Sequence, residues 1–245
     1  MITDEINGIK YYIKNQHDSI QKYLIHSRQW NQSIYHVLLD LIKKNNCSHF
    51  LNVGCHIGTI ALPVSRHIEK VSAIEAFPRT YKHLCENIEL NNIENIKTYN
   101  FAVGNSRENI YFMCEGICPV EKIDRIKNNS GGIHVFTQSD IDNGIRSSAL
   151  CDKSISNIMK PLDGTEIDDF DIMLVDIEGC EYEFLKGAKQ KIMKYKPIII
   201  IEIWDDNKRK QEKMNTKRDD IIKLIESYGY KNYGNSNDDF LFVKL

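Results

Sequence analysis

The stretch His49 to Pro78, HFLNVGCHIGTIALPVSRHIEKVSAIEAFP, limits what the whole chain can fold into. An apolar run, Phe50-Leu51-Asn52-Val53, breaks at Gly54-Cys55-His56-Ile57-Gly58, and apolar residues then recur at Ile57, Ile60, Ala61, Val64 and Ile68. That pattern is strand, tight glycine turn, helix. A second apolar run, Val71 to Ile74, stops on Glu75, which lies 21 residues beyond Gly54. The spacing predicts the first β-α-β unit of a nucleotide-binding α/β sheet, with an acid placed to accept from ribose hydroxyls.

The glycines carry the argument further. Gly54 lets the backbone turn sharply off the strand and lets a ligand approach, and Gly58 lets the helix start close against the sheet. A dinucleotide loop wants G-x-G-x-x-G so that a pyrophosphate can sit on the helix N-terminus. Here position 56 is His, and only G-x-x-x-G is present. An S-adenosyl ligand has no phosphate and tolerates that looser loop, so a dehydrogenase is disfavoured.

At 245 residues the chain is long enough for one large α/β domain with an N-terminal extension. The formal net charge of −2 gives no global electrostatic case for a nucleic-acid partner. No apolar run approaches the ~18 residues of a membrane span, and MITDEINGIK lacks the basic and apolar regions of a signal peptide. The expectation is a soluble, cytoplasmic protein. Seven cysteines, at 47, 55, 85, 114, 118, 151 and 180, form no C-x-x-C pair, which favours reduced thiols over a disulfide framework.

Residues 1 to 47 carry no strand signal. Ile6, Ile9 and Ile13, then Ile20, Tyr23 and Leu24, then Trp30, Ile34, Val37, Leu38 and Leu41 recur at helical spacing, which predicts two or three helices completing the core. Capping the ligand cleft or forming a homodimer are further uses for them. After Glu75, Pro78 suits a first helical turn, and Tyr81, Leu84, Cys85 and Ile88 mark a helix face. A third strand is predicted over Ile96 to Val103, its end placing Asn100, Phe101 and Ala102 beside an adenine. From 105 to 165 turn signals separate short strands, a variable insertion where substrate recognition is expected. Cys114, Cys118, His134 and Cys151 lack the spacing of a zinc site, so no metal is expected.

The second informative stretch is Phe170 to Trp204, FDIMLVDIEGCEYEFLKGAKQKIMKYKPIIIIEIW. Ile172 to Val175 reads as a buried strand ending in Asp176-Ile177-Glu178-Gly179, and residues two apart in an extended chain point to one side. Phe184, Leu185, Ala188 and Ile192 then form a helix face, and Ile198 to Ile201 is a strand covered on both faces that ends in Glu202. Three parallel strands thus end in acids: Glu75, Asp176 and Glu202. The charged run Lys208 to Lys217 reads as a solvated loop or lid. Tyr230 to Tyr233 with Phe240 to Val243 read as a terminal antiparallel pair.

These motifs together resemble the FkbM-type family of S-adenosylmethionine-dependent methyltransferases. The likeness runs through LNVGCHIG, AIEAFP, NFAVG, LVDIEGCEYEFLKGA and KPIIIIEIW in order, with D-x-E-G-x-E the most specific part. It covers about residues 48 to 244, so the methyltransferase domain is expected over 48–245. The resemblance implies a Rossmann-like class I fold, mostly parallel and seven-stranded, with a terminal antiparallel strand. It also implies O-methylation of a hydroxyl, with a sugar or glycan as acceptor. The family's first motif usually opens with Asp and carries Asn near its end; this chain has Asn52 and His56 there. The cofactor set expected on these grounds is Asn52, Gly54, Cys55, His56, Gly58, Glu75, Ala76, Phe77, Asn100, Ala102 and Asp176. Asp176, Glu178 and Glu202 are the catalytic candidates, with Glu178 or Glu202 as the base. Two other readings use the same fold, an RNA 2′-O-methyltransferase and a degenerate binding module.

Overall fold

The computed structural model describes residues 1–114, 133–142, 156–212 and 214–244. The N-terminal segment holds β1 (Ile2–Thr3), β2 (Lys10–Tyr11), α1 (Ser19–Ser27) and α2 (Gln32–Asn45). Then come β3 (His49–Val53), α3 (Ala61–Ser65), β4 (Lys70–Ile74), α4 (Pro78–Leu90) and β5 (Ile96–Tyr99). A middle section holds β6 (Ala102–Val103), β7 (Glu108–Cys114), β8 (Ile133–Thr137), α5 (Gln138–Asp142) and β9 (Ser156–Lys160). The C-terminal part runs β10 (Ile172–Val175), α6 (Glu181–Gly187), α7 (Lys189–Tyr195), β11 (Ile198–Glu202), α8 (Asp206–Gln211), α9 (Arg218–Ser227), β12 (Tyr230–Ser236) and β13 (Asp239–Lys244).

The main sheet has seven strands in the order β12-β13-β11-β10-β3-β4-β5. All neighbours from β11 to β5 are parallel, and β13 is antiparallel to both β11 and β12. This is the class I methyltransferase fold that the sequence implies, its one reversed strand being the last in the chain and second from the sheet edge. Side-chain alternation builds two cores. Leu51, Val53, Met173, Val175, Ile199 and Ile201 face α6, α7 and α9, while Phe50, Val71, Ala73, Ile172, Leu174 and Ile200 face α2, α3 and α4. Each fully buried aliphatic side chain here contributes about 1.5–3 kcal/mol.

A second sheet, β6-β9-β7-β8, is built by the 105–165 section together with β6. Cys118 and Cys151, the turn residues 128–132 and Asn143-Gly144 lie outside the described residues, as do the side chains of Cys114 and His134. Among the described residues no helix is long and apolar enough to cross a membrane, and no cluster of His, Cys, Asp or Glu is arranged to hold a metal.

Four local expectations are corrected. Residues 1–13 form a two-stranded hairpin, because the Asp4 carboxylate accepts from the N–H groups of Ile6 (2.9 Å) and Asn7 (3.2 Å) and Gly8 supplies φ 71°. The run 96–103 is two strands, since Asn100 turns its amide onto the carbonyls of Glu75 and Ala76 and β6 pairs with β9 instead. The helix through Ala188 is broken in two. Asp163 receives the N–H groups of Gln190 and Lys191 and so starts α7 afresh. The charged run after Lys208 contains the helix α8, whose Arg209 is buried.

Gly187 tests this packing. A Cβ there would lie 1.8 Å from the Gly104 carbonyl oxygen, where α6 presses on the end of β6. Glycine to alanine in a helix ordinarily stabilises by about 1 kcal/mol. At Gly187 the clash reverses the sign, and Gly187→Ala is expected to destabilise by roughly 2 kcal/mol or more, lowering Tm by about 4–8 °C in a thermal melt. A raised Tm would contradict the packing.

Candidate active site

The register of the parallel strands sets the site. Val53 pairs with Val175 and with Ile74, Val175 pairs with Ile201, and Ile74 pairs with Tyr99. The next residue on each strand therefore emerges in one row: Glu202, Asp176, Gly54, Glu75 and Asn100. Strand order reverses between β3 and β10, and the crevice at such a reversal is where open α/β sheets take ligands.

Gly54 makes the crevice possible. Its φ is 78°, and a Cβ there would lie 1.7 Å from the Asp176 carbonyl oxygen. The loop is tied to β4 by the N–H groups of Gly54 and Cys55, which both donate to the Ile74 carbonyl (3.0 and 3.1 Å). Gly58, φ 92°, packs against Leu62 and Leu84 beneath the loop. Cys55 points into the same helical core, where burial raises its thiol well above the ordinary range. Asn52 is buried mid-strand, and neither Asn52, Cys55 nor Gly58 lines the cleft. Cys55 and Gly58 belong to the loop itself, and Asn52 to the strand that leads into it.

The cleft encloses about 810 Å³ counting its open mouth. Of the residues expected from sequence, Gly54, His56, Glu75, Ala76, Phe77, Ala102, Asp176 and Glu178 line it. Glu75 is 9 % exposed, and its two oxygens each accept one backbone N–H, from His56 (2.9 Å) and from Phe77 (2.8 Å). Burial pushes its pKa to about 7, with those N–H groups and that of Ala76 pulling the other way. Each oxygen keeps a lone pair for a further donor. Asn100 does not line the cleft; it orients the Glu75-Ala76 turn from behind, with Asn157 also donating to the Ala76 carbonyl (2.7 Å).

Asp176 and Glu178 do reach the cleft together, by a route other than strand alternation. The strand stops at Val175, Glu178 takes the left-handed φ of 54° and Gly179 follows at 97°. Asp176 lies on the concave wall and is itself exposed there, facing the cleft. The protein mass packed around the wall, then Glu202, Glu178, Glu181 and Asp239, raise its pKa. Glu202 stands behind the wall, accepting from the Trp204 indole N–H (2.8 Å). Cys180 in the wall is pushed up to about 12, by burial and then by Glu181, so it stays a thiol.

Several lining residues were not singled out from sequence. Phe112, Ile133, Val135 and Met159 come from the second sheet and form an apolar floor with Phe77, whose ring lies edge-on to Phe112 at 5.1 Å. Ile20 reaches the cleft from α1. The turn after Asp176 is braced by Glu181, which accepts from the Gly179 N–H (2.8 Å) and pairs with the buried guanidinium of Arg209 (3.3 Å). Glu181 is part of the quoted acidic motif. Arg209 gave no signal, because its partner is 28 residues earlier in the chain.

Comparison with known proteins gives this geometry a relationship. The Methyltransferase FkbM domain matches residues 52–231. No curated protein matches the sequence. Among solved structures, Methyltransferase FkbM from Methylobacillus flagellatus KT superposes with TM-score 0.50 at 14 % identity over 91 % of this chain; the chain spans about half (52 %) of that one. A Staphylococcus aureus protein named as a caffeoyl-CoA O-methyltransferase superposes with TM-score 0.51 at 12 % identity over 92 % of this chain and 90 % of its own. At these identities the likeness is one of fold.

The buried carboxyl of Glu75 has a pH signature. Its folded pKa is raised, so the stability it contributes is present below pH 4.5 and is lost as pH rises through about 7. Glu75→Gln removes that titration. The stability of the variant relative to the wild type is expected to climb by roughly 3 kcal/mol between pH 4.5 and 7.5 in urea unfolding. A difference independent of pH would show that Glu75 is not held as described.

Proposed function

This chain belongs to the FkbM methyltransferase family, and from that premise we propose that it transfers the methyl group of S-adenosylmethionine to a hydroxyl oxygen of a sugar or glycan. The observation that carries the proposal is the convergence of Gly54, Glu75, Asp176 and Glu178 on one cleft. The donor set suits this cofactor. Glu75 offers lone pairs to a ribose diol, and Phe77, Phe101, Ala102 and Val103 offer an apolar slot for an adenine. The carboxylates of Asp176 and Glu178 complement the positive charges of the ammonium and sulfonium.

When bound, the cofactor supplies a methyl group already activated on sulfur. The protein must hold an acceptor oxygen in line with the carbon–sulfur bond and take its proton as the new bond forms. Both tasks are proposed for Asp176 and Glu178, which line the cleft together. A carboxylate of ordinary pKa is a weak base toward an alcohol, and the raised pKa of Asp176 narrows that mismatch. The positive ligand beside it favours the ionised form that can accept a proton. We assign the base to this pair and not to Glu202, whose oxygen is engaged by Trp204. Among the described residues the lining holds three carboxylates and no lysine or arginine, which favours a neutral acceptor over a polyanion such as RNA. The sugar itself rests on family resemblance.

The test is labelled methyl transfer from S-adenosylmethionine to a panel of glycans, nucleosides and small alcohols, read by product mass. Asp176→Asn and Glu178→Gln are each made and assayed on the acceptor found. At least one is expected to lower kcat by about 10²-fold or more while cofactor affinity changes only a few-fold. Wild-type turnover by both variants would remove the pair from proton transfer, and failure of the protein to bind S-adenosylmethionine would overturn the proposal.

A further inference from the structure

Residues 1–51 lie outside the matched methyltransferase region, yet Ile20 lines the cleft and Asp18 lies against His56, which lines it too. Asp18 caps α1: its Oδ1 accepts from the Gln21 N–H at 2.9 Å. A capping carboxylate needs one oxygen and is normally at the surface. Asp18 is fully buried, and its Oδ2 lies 3.7 Å from Nε2 of His56. A buried charge needs polar neighbours, and the imidazole is one of them.

His56 is in turn unusual. It is a non-glycine residue with φ 49° in the glycine loop, and in that conformation its N–H donates to Oε2 of Glu75 at 2.9 Å. A left-handed backbone is uncommon outside glycine, and histidine is among the residues that adopt it more readily. Burial lowers the ring's pKa to about 4, with Asp18 opposing and His83 adding to the shift, so the imidazole is neutral at pH 7. At 3.7 Å the contact is electrostatic and not a hydrogen bond, and a carboxylate on that side favours the tautomer with its hydrogen on Nε2. The start of α1 thus meets the site twice: Asp18 lies against His56, and two residues later Ile20 lines the cleft.

We propose that Asp18 is a positioning residue for the cofactor carboxylate: it anchors the His56 ring, which fixes the loop conformation whose N–H sets the orientation of Glu75. The N-terminal segment is by this account part of the cofactor site, and the inference rests on the functional reading above. Ribose recognition depends on where the Glu75 oxygens point, and the relay from Asp18 supplies that direction from outside the family domain.

Asp18→Asn separates this role from capping, because Asn caps a helix as well as Asp does. The measurements are calorimetric affinity for S-adenosylhomocysteine, KM and kcat with S-adenosylmethionine, and the His56 ring tautomer by nitrogen NMR. We expect Asp18→Asn to melt within a few degrees of wild type, to bind roughly tenfold more weakly, and to raise KM with kcat little changed. The Nε2–H tautomer is expected in the wild type and a changed nitrogen pattern in the variant. His56→Gln is expected to weaken binding similarly, and the double variant no further than either alone. Should Asp18→Asn prove unstable, Asp18→Ser keeps a capping oxygen and is read the same way. Wild-type affinity in the variant with an unaltered ring spectrum, or effects that multiply in the double variant, would overturn the inference alone. A wild type that binds no S-adenosylhomocysteine would instead overturn the functional reading beneath it.

Discussion

The close approach of two loops at the sheet's reversal point governs everything else in this molecule. Gly54 leaves β3 with its α-carbon so near the Asp176 carbonyl that any side chain would occupy the same space. Because β3, β4, β10 and β11 are in parallel register, that contact lines up Asp176, Gly54, Glu75 and Glu202 at one level. The apolar strands, buried on both faces, supply the rigidity that keeps this row in place. The chemistry of the row is a consequence of backbone geometry first and of side-chain identity second.

Placing carboxylates this close costs stability, and the structure offsets the cost in graded ways. Glu75 is steadied by two backbone N–H groups, Glu181 by an N–H and a guanidinium, and Glu202 by an indole. Asp176 has least compensation and the strongest pressure from its neighbours, with Asp239 pushed to about 6 behind it. An acid left under such pressure, open to a cleft, is the group a cationic ligand relieves most. The buried pair Glu181–Arg209 serves a different end. It pins the left-handed turn at Glu178 and Gly179, which brings the second acid into the wall.

Much of this was legible in the amino-acid order. The continuous apolar runs of β3, β10 and β11 announce parallel strands, Pro78 marks the start of α4, and the distance from Gly54 to Glu75 marks the ligand end of the sheet. What misled was local. Ile6, Ile9 and Ile13 keep a helical spacing, but the side chains of Asp4 and Asn7 take up the backbone N–H groups that a helix would need. Asp176 and Glu178 meet at the cleft through a left-handed turn and not through strand alternation, and a left-handed residue cannot be seen in a non-glycine letter. The apolar floor from Phe112, Val135 and Met159 depends on a second sheet whose strands are far apart in sequence, and Arg209 reads as surface charge until its partner is known. Long-range pairing is what periodicity does not encode.

The N-terminal segment shows the same lesson at the site itself, since Asp18 and Ile20 gain meaning only once α1 is seen against the glycine loop. The central claim is that the row of strand-end acids forms the bed of an adenosyl ligand. A crystal structure with S-adenosylhomocysteine tests it most directly. The account predicts the ribose hydroxyls within hydrogen-bond reach of both Glu75 oxygens, the adenine against Phe77 and Ala102, and the amino-acid end toward Asp176. Ligand density on another face of the sheet, or a ribose held without Glu75, would contradict it.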